Sequence, residues 1–231
     1  MCWKLRCRRC RPGPARKPPE PAMRCPSCRH PAAEHLAVCG HCGFCLEAVD
    51  RALGAPPAMT APLTDAAAIL TRREKTAVLG ALNAFSSRHP QIVPVCVLAN
   101  VPPGVPVEIC TFWIHNRAGF FSLSESGGRN HGLLLVLDPQ ANSAAAMPGY
   151  GLEPFIGEDD LAPALAAARL SLDSGDPARA AGVFFREMSA RLLIISENLP
   201  QAFGYDETRP WLDSEGGDDW TIPSHEAADV Y

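Results

Sequence analysis

Ile92-Val93-Pro94-Val95-Cys96-Val97-Leu98 is a short, nearly unbroken apolar run rich in β-branched residues, and the fold follows from how it is read. A strand with one wet face alternates apolar and polar residues. A strand covered on both faces does not, so this run predicts a strand buried between two layers. Within it Cys96 reads as a small buried hydrophobe. Downstream, Leu133 to Leu137 repeats the pattern and stops at the turn signal Asp138-Pro139, and residues 143 to 147 form a third strand beside it.

Helices surround these strands. Thr71-Arg72-Arg73-Glu74 is a capping box, followed by Val78, Leu82 and Phe85 on one helical face and a stop near His89-Pro90. Pro106, at a first helical position, precedes Val107, Ile109, Cys110, Phe112, Trp113 and Ile114, read as a second helix with strand as the alternative for so dense a run. A polar stretch through Ser122, Ser124, Ser126, Gly127 and Gly128 follows. Asp159 or Asp160 opens a helix through Leu161, Leu165 and Leu172. Asp176-Pro177, an N-cap with proline after it, opens a last helix burying Phe184, Met188, Leu192 and Ile195. The order helix, strand, helix, strand, strand, helix, helix predicts an α/β protein, a three-layer α/β/α sandwich preceded by a small zinc-ribbon-like module.

The front of the chain carries a different signal. Cys25-Pro26-Ser27-Cys28 and Cys39-Gly40-His41-Cys42 are two C-x-x-C knuckles. Two residues between thiolates let both sulfurs of a tight turn reach one tetrahedral Zn²⁺ at about 2.3 Å, and two knuckles close the coordination sphere. The expected ion is structural, because no position is left for water. Cys45 is a spare thiol able to replace Cys42, while His30, His35 and His41 are weaker candidates. Cys7 and Cys10 form another C-x-x-C pair without a second pair to complete a site. A module of this size buries too little apolar surface to fold alone, so metal binding and folding are expected to be one event.

Composition sets the remaining bounds. The 231 residues are 47% hydrophobic and 20% charged, which suits a globular protein, while 23 prolines and 18 glycines gather near the N-terminus and around residues 54 to 62. The formal charge of −4 conceals two ends of opposite sign: residues 1–24 carry eight Lys and Arg against Glu20, and residues 197–231 carry nine acids against Arg209. The division read from these features is a basic Pro/Arg-rich tail over 1–24, a four-cysteine zinc-binding module over 25–50 and a Pro-rich linker over 51–65. An α/β/α domain over 66–196 and an acidic flexible tail over 197–231 complete it. A short Arg/Pro arm on an acidic protein reads as a solvated tail, which argues against a nucleic-acid partner. In the tail, Trp211 and Trp220 among acids read as part of a flexible segment, with disorder ahead of docking on a partner. No run approaches the roughly 20 apolar residues that span a bilayer, and the first 22 residues lack an apolar export core, so the expected location is cytoplasmic. Eight of the ten cysteines fall in the first 45 residues, largely as C-x-x-C pairs, and in a reducing compartment that spacing means metal rather than disulfide. Met23, two residues before the first ligand, is a candidate translation start.

Asn130-His131-Gly132-Leu133-Leu134-Leu135-Val136, then Gly149-Tyr150-Gly151-Leu152-Glu153, then Gly175-Asp176 with Gly182, together resemble the TPM domain family over about residues 66 to 195. The resemblance implies an α/β/α sandwich and, from some members, Ca²⁺ binding or acid phosphatase activity. Carried onto this chain, it points to a second site at Asn130, Glu158, Asp159 and Asp160 for Ca²⁺ or Mg²⁺, and to His131 and Asp159 as catalytic candidates. Asn130 stands where the family has Asp, which keeps an oxygen ligand but removes a charge. The structural readings of the same residues are a hydrogen-bonded His at a strand entry and an acidic first helical turn favoured by the macrodipole. Two functions follow: a binding or regulatory protein recognising a protein or small ligand, or a divalent-metal-dependent phosphatase acting on phosphomonoesters.

Overall fold

The computed structural model describes residues 23–32, 37–56, 59–119, 131–149 and 151–202. The elements in chain order are β1 (Met23–Arg24), β2 (Pro31–Ala32), α1 (Leu46–Leu53), β3 (Leu63–Asp65), α2 (Arg72–Arg88), β4 (Val93–Leu98) and α3 (Val107–Arg117). After them come β5 (Gly132–Asp138), β6 (Ser143–Pro148), α4 (Glu158–Asp173) and α5 (Pro177–Ala202). The two apolar runs lie side by side as β4 and β5, paired parallel from Val93 with Gly132 to Leu98 with Leu137. The main sheet has the order β3-β4-β5-β6, with β6 antiparallel to β5.

Every residue of β5 is buried. Successive side chains of a strand point to opposite faces, so this burial requires a layer on each side. On one face Val95, Val97, Leu134 and Val136 pack with Val107, Cys110, Trp113 and Ile114 of α3. The other face carries Cys96, Leu98, Leu135 and Leu137, with α2 against β4 and β3. α5 runs in the same direction as α2 beside it, as the matched contacts of Phe85 with Phe185 and His89 with Ser189 require. The three-layer α/β/α arrangement expected from the sequence is present. Cys96 is fully buried, and the Thr71–Glu74 capping box is formed in both directions. Asp138 turns the chain into β6 by accepting bonds from the backbone N–H groups of Gln140 and Ala141 at 3.1 and 3.3 Å.

Several boundaries differ from the expectation. Leu63–Asp65, inside the stretch read as linker, is β3, parallel to β4 and burying Thr64. Three residues are too few for an alternation to register in the sequence. Pro106 is the N-cap of α3 rather than its first helical residue, and α4 begins at Glu158 with Gly157 as N-cap. The cysteine module is not set apart from the sheet: Val49 of α1 lies in the same core cluster as the α3 face of the sheet. The chain divides into two compact units, Met1–Ser189 and Ala190–Tyr231, and the described part of the second continues α5 with Leu192 buried. No helix among the described residues is long and apolar enough to cross a membrane.

Burial also sets a pH dependence. Desolvation pushes the pKa of His115, on α3, down to about 4, and it lowers that of His89 as well, helped by Arg88. A histidine held neutral by the fold stabilises it fully above the unfolded value of about 6.5. As pH falls below that value the unfolded chain takes up a proton that the folded chain refuses, until about pH 4. From His115 alone the expected loss across that window is up to about 3 kcal/mol. Urea unfolding of wild type and His115→Gln at pH 7.5 and 5 checks it: the variant should lose clearly less stability between the two, and equal losses would contradict the assignment.

Candidate metal centre

The two knuckles are built alike, residue for residue, at a spacing of 14. Arg24 pairs with Pro31 around the first, and Val38 pairs with Cys45 around the second. In the first knuckle Cys25 N–H donates to the His30 carbonyl at 2.9 Å and Arg29 N–H donates to the Cys25 carbonyl at 2.8 Å. In the second, Cys39 N–H donates to the Phe44 carbonyl at 2.8 Å and Gly43 N–H to the Cys39 carbonyl at 2.9 Å. The fifth position of each turn is left-handed, at φ 60° for Arg29 and 74° for Gly43. Glycine takes that conformation freely, whereas a side chain at Arg29 is strained there. Arg29 has a contact glycine lacks, an ion pair with Glu158 of α4.

These turns bring the four predicted ligands together. The sulfurs of Cys25, Cys28, Cys39 and Cys42 all lie within 4.8 Å of one another, with Cys25 and Cys42 at 3.7 Å and Cys28 and Cys39 at 3.8 Å. Sulfurs about 2.3 Å from a tetrahedral ion are about 3.8 Å apart, far beyond a disulfide bond of about 2.05 Å. The donor set and spacing therefore fit a four-coordinate thiophilic cation. Backbone N–H groups of Cys42 and His41 draw the Cys39 thiol down to about 6. The His30 N–H favours the Cys28 thiolate, but loss of water and the neighbouring sulfurs outweigh it and push that thiol up to about 12. Four adjacent thiolates repel one another, and a divalent ion at their centre removes the conflict.

The other sequence candidates are placed differently. Cys45 is the N-cap of α1 and lies outside the quartet. His30 and His41 stack on each other at 3.7 Å between ring centroids instead of entering it. His131 is exposed just ahead of β5, its carbonyl accepting from Val93 N–H at 3.0 Å. Glu158, Asp159 and Asp160 form the first turn of α4, where Asp160 accepts from Gly157 N–H at 2.8 Å and Glu158 is taken up by Arg29. Among the described residues, the quartet is the one group of His, Cys, Asp or Glu side chains close enough to hold an ion. Asn130, His35, Cys7, Cys10, Trp211 and Trp220 lie outside the described residues.

The sequence reading missed what ties the quartet to the sheet. Asp50 of α1 accepts from Trp113 Nε1 at 2.9 Å and from Arg117 Nε and Nη2 at 3.0 and 2.7 Å. The Arg117 guanidinium, with the indole N–H, holds the Asp50 carboxyl below its usual range. Phe44, beside the second knuckle, meets Phe112 edge-on at 5.8 Å. These partners are more than 60 positions apart, which no local pattern announces. The 14-residue repeat was readable by laying residues 24–31 over 38–45.

No family model matches this chain, and no curated protein does. Among solved structures it is similar to the N-terminal domain of a protein from P. gingivalis, with 24% identity, a TM-score of 0.47, and 56% of this chain and 80% of that one covered. It is also similar to the N-terminal domain of the cg2496 protein from Corynebacterium glutamicum, with 19% identity, a TM-score of 0.44, and 59% and 83% covered. A third is the BA42 protein from the psychrophilic bacterium Bizionia argentinensis, with 14% identity, a TM-score of 0.45, and 55% and 83% covered.

Proposed function

We propose that this chain is a cytoplasmic binding or regulatory protein of the TPM-like α/β/α type, with one structural zinc ion held by Cys25, Cys28, Cys39 and Cys42. The observation that carries this reading is the quartet itself: four sulfurs at tetrahedral spacing leave no coordination position for water or substrate. The ion, when bound, supplies a fixed crosslink between the two turns. The chain's own residues do the rest. Backbone N–H groups orient the sulfurs, and Asp50, Trp113 and Phe44 seat the knuckles on the sheet.

The alternative is a phosphatase using divalent ions at Asn130, Glu158, Asp159 and Asp160, with His131 or Asp159 in the reaction. Two of its described carboxylates already have structural duties, Asp160 at the helix start and Glu158 with Arg29. The expected result with purified, zinc-loaded protein is no turnover of p-nitrophenyl phosphate in Ca²⁺, Mg²⁺ or Mn²⁺. Metal-dependent turnover abolished by Asp159→Ala would establish the enzyme and overturn the binding reading.

A further inference from the structure

A cleft of about 390 Å³ opens between the first knuckle, α3, β6 and α4. Its volume lies in the range of ligand sites. Five alanines of β6 and α4 line it, stopping at Cβ and leaving space beside Phe112, Met147 and Leu165. β6 is an edge strand of the sheet, so half of its backbone groups point away from β5. The register identifies which half. Gly149 N–H donates to the Gly132 carbonyl at 2.7 Å, and hydrogen-bonded pairs alternate along an antiparallel ladder, so residues 144, 146 and 148 point outward.

Two of those three outward positions are blocked. The Ala144 carbonyl accepts from Arg169 Nη2 at 3.1 Å, and Pro148 has no N–H to offer. Such blunting is how a sheet edge avoids pairing indiscriminately. Ala146, between them, keeps one donor and one acceptor at the wall of an apolar cleft. Of the charged residues lining the cleft, Arg29 and Glu158 are joined to each other and Arg169 is held by the Ala144 carbonyl, which leaves Arg24 and Glu108 without an ion-pair partner among the described residues.

We infer that this cleft binds a short extended peptide carrying apolar side chains, one residue of which pairs through its backbone with Ala146. The N–H and carbonyl of a single edge residue match the carbonyl and N–H of one extended peptide residue, which lie on the same edge of that strand. The alanine floor accepts the apolar side chain. The inference rests on the binding-protein reading and names its partner class. Because Cys25 and Pro26 form part of one wall, zinc and peptide binding are linked.

The test uses the full, zinc-loaded chain and the blocked peptide acetyl-Thr-Val-Ile-Val-Thr-amide, followed by ¹H–¹⁵N NMR. Saturable shifts at Ala146, Thr111 and Leu165 are expected, with an about ten-fold weaker affinity for the same peptide N-methylated at its central residue, which removes the donor. Ala146→Pro deletes the outward N–H without touching the β5 ladder and is expected to weaken binding similarly. Ala162→Leu, which fills the cleft, serves if the proline variant does not fold. No saturable shifts, shifts elsewhere, or equal binding of the N-methyl peptide would overturn the inference. Binding of decanoate at the same residues with indifference to N-methylation would make the cleft a small-molecule site and overturn it too. Zinc content measured on the same sample separates the readings: one ion per chain without peptide binding sinks only the cleft.

Discussion

Cys39→Ser is expected to take the chain from about one bound zinc ion to none in native mass spectrometry. Cys39 is buried, and the backbone N–H groups of Cys42 and His41 draw its thiol toward the thiolate. A serine hydroxyl ionises far less readily and is a harder ligand than the thiophilic site requires. Structural zinc sites of this kind bind with free energies on the order of 10–16 kcal/mol at neutral pH, and that binding is also the folding free energy of the turns. The loss should therefore erase the Arg24–Pro31 and Val38–Cys45 pairings together, seen as collapse of their amide dispersion in NMR. Cys45→Ser is the matched control and should keep its ion, since Cys45 caps α1 outside the quartet. A Cys39→Ser protein that retains one ion and both turns would remove the basis of the zinc reading.

How much of this was visible in the sequence depends on how locally each feature is written. β4 and β5 announce themselves because both faces are covered, so their apolar runs are uninterrupted. The capping box and Asp176-Pro177 announce helix starts because a cap is a contact between residues three apart. The quartet is legible for the same reason twice over, two sulfurs within one turn and the turn repeated. β3 is hidden because it is three residues long beside Pro62, and its place is fixed by pairing with β4 rather than by any pattern of its own. The acids at the start of α4 illustrate the converse. Their composition suits a hard cation, but a helix N-terminus attracts the same residues, and Asp160 and Glu158 are engaged by Gly157 and Arg29. The contact of the small module with the sheet is not legible, because proline around residues 54 to 62 signals a linker while Val49 of α1 joins the core.

Trp113 is where that relation can be broken. Its ring is 3% exposed within the cluster that includes Val49 of α1 and Val97 and Val136 of the sheet, and its N–H holds Asp50. Removing so large a buried side chain costs about 3–5 kcal/mol. For a chain of this size each kcal/mol shifts the midpoint by roughly 2–4 °C, so Trp113→Ala should melt about 10 °C lower. The shared core makes a second, sharper demand. If α1 belongs to the same cooperative unit as the sheet, chelation of zinc from the wild type by EDTA should lower the midpoint of one transition, read identically by near-ultraviolet circular dichroism and by the fluorescence of the remaining aromatics. In Trp113→Ala the tie is weakened to the Arg117–Asp50 pair and the Phe44–Phe112 contact, and chelation should move the body's transition less than in the wild type. A wild type that already melts in two steps, one sensitive to chelator and one not, would mean that the zinc turns ride on the sheet without stabilising it.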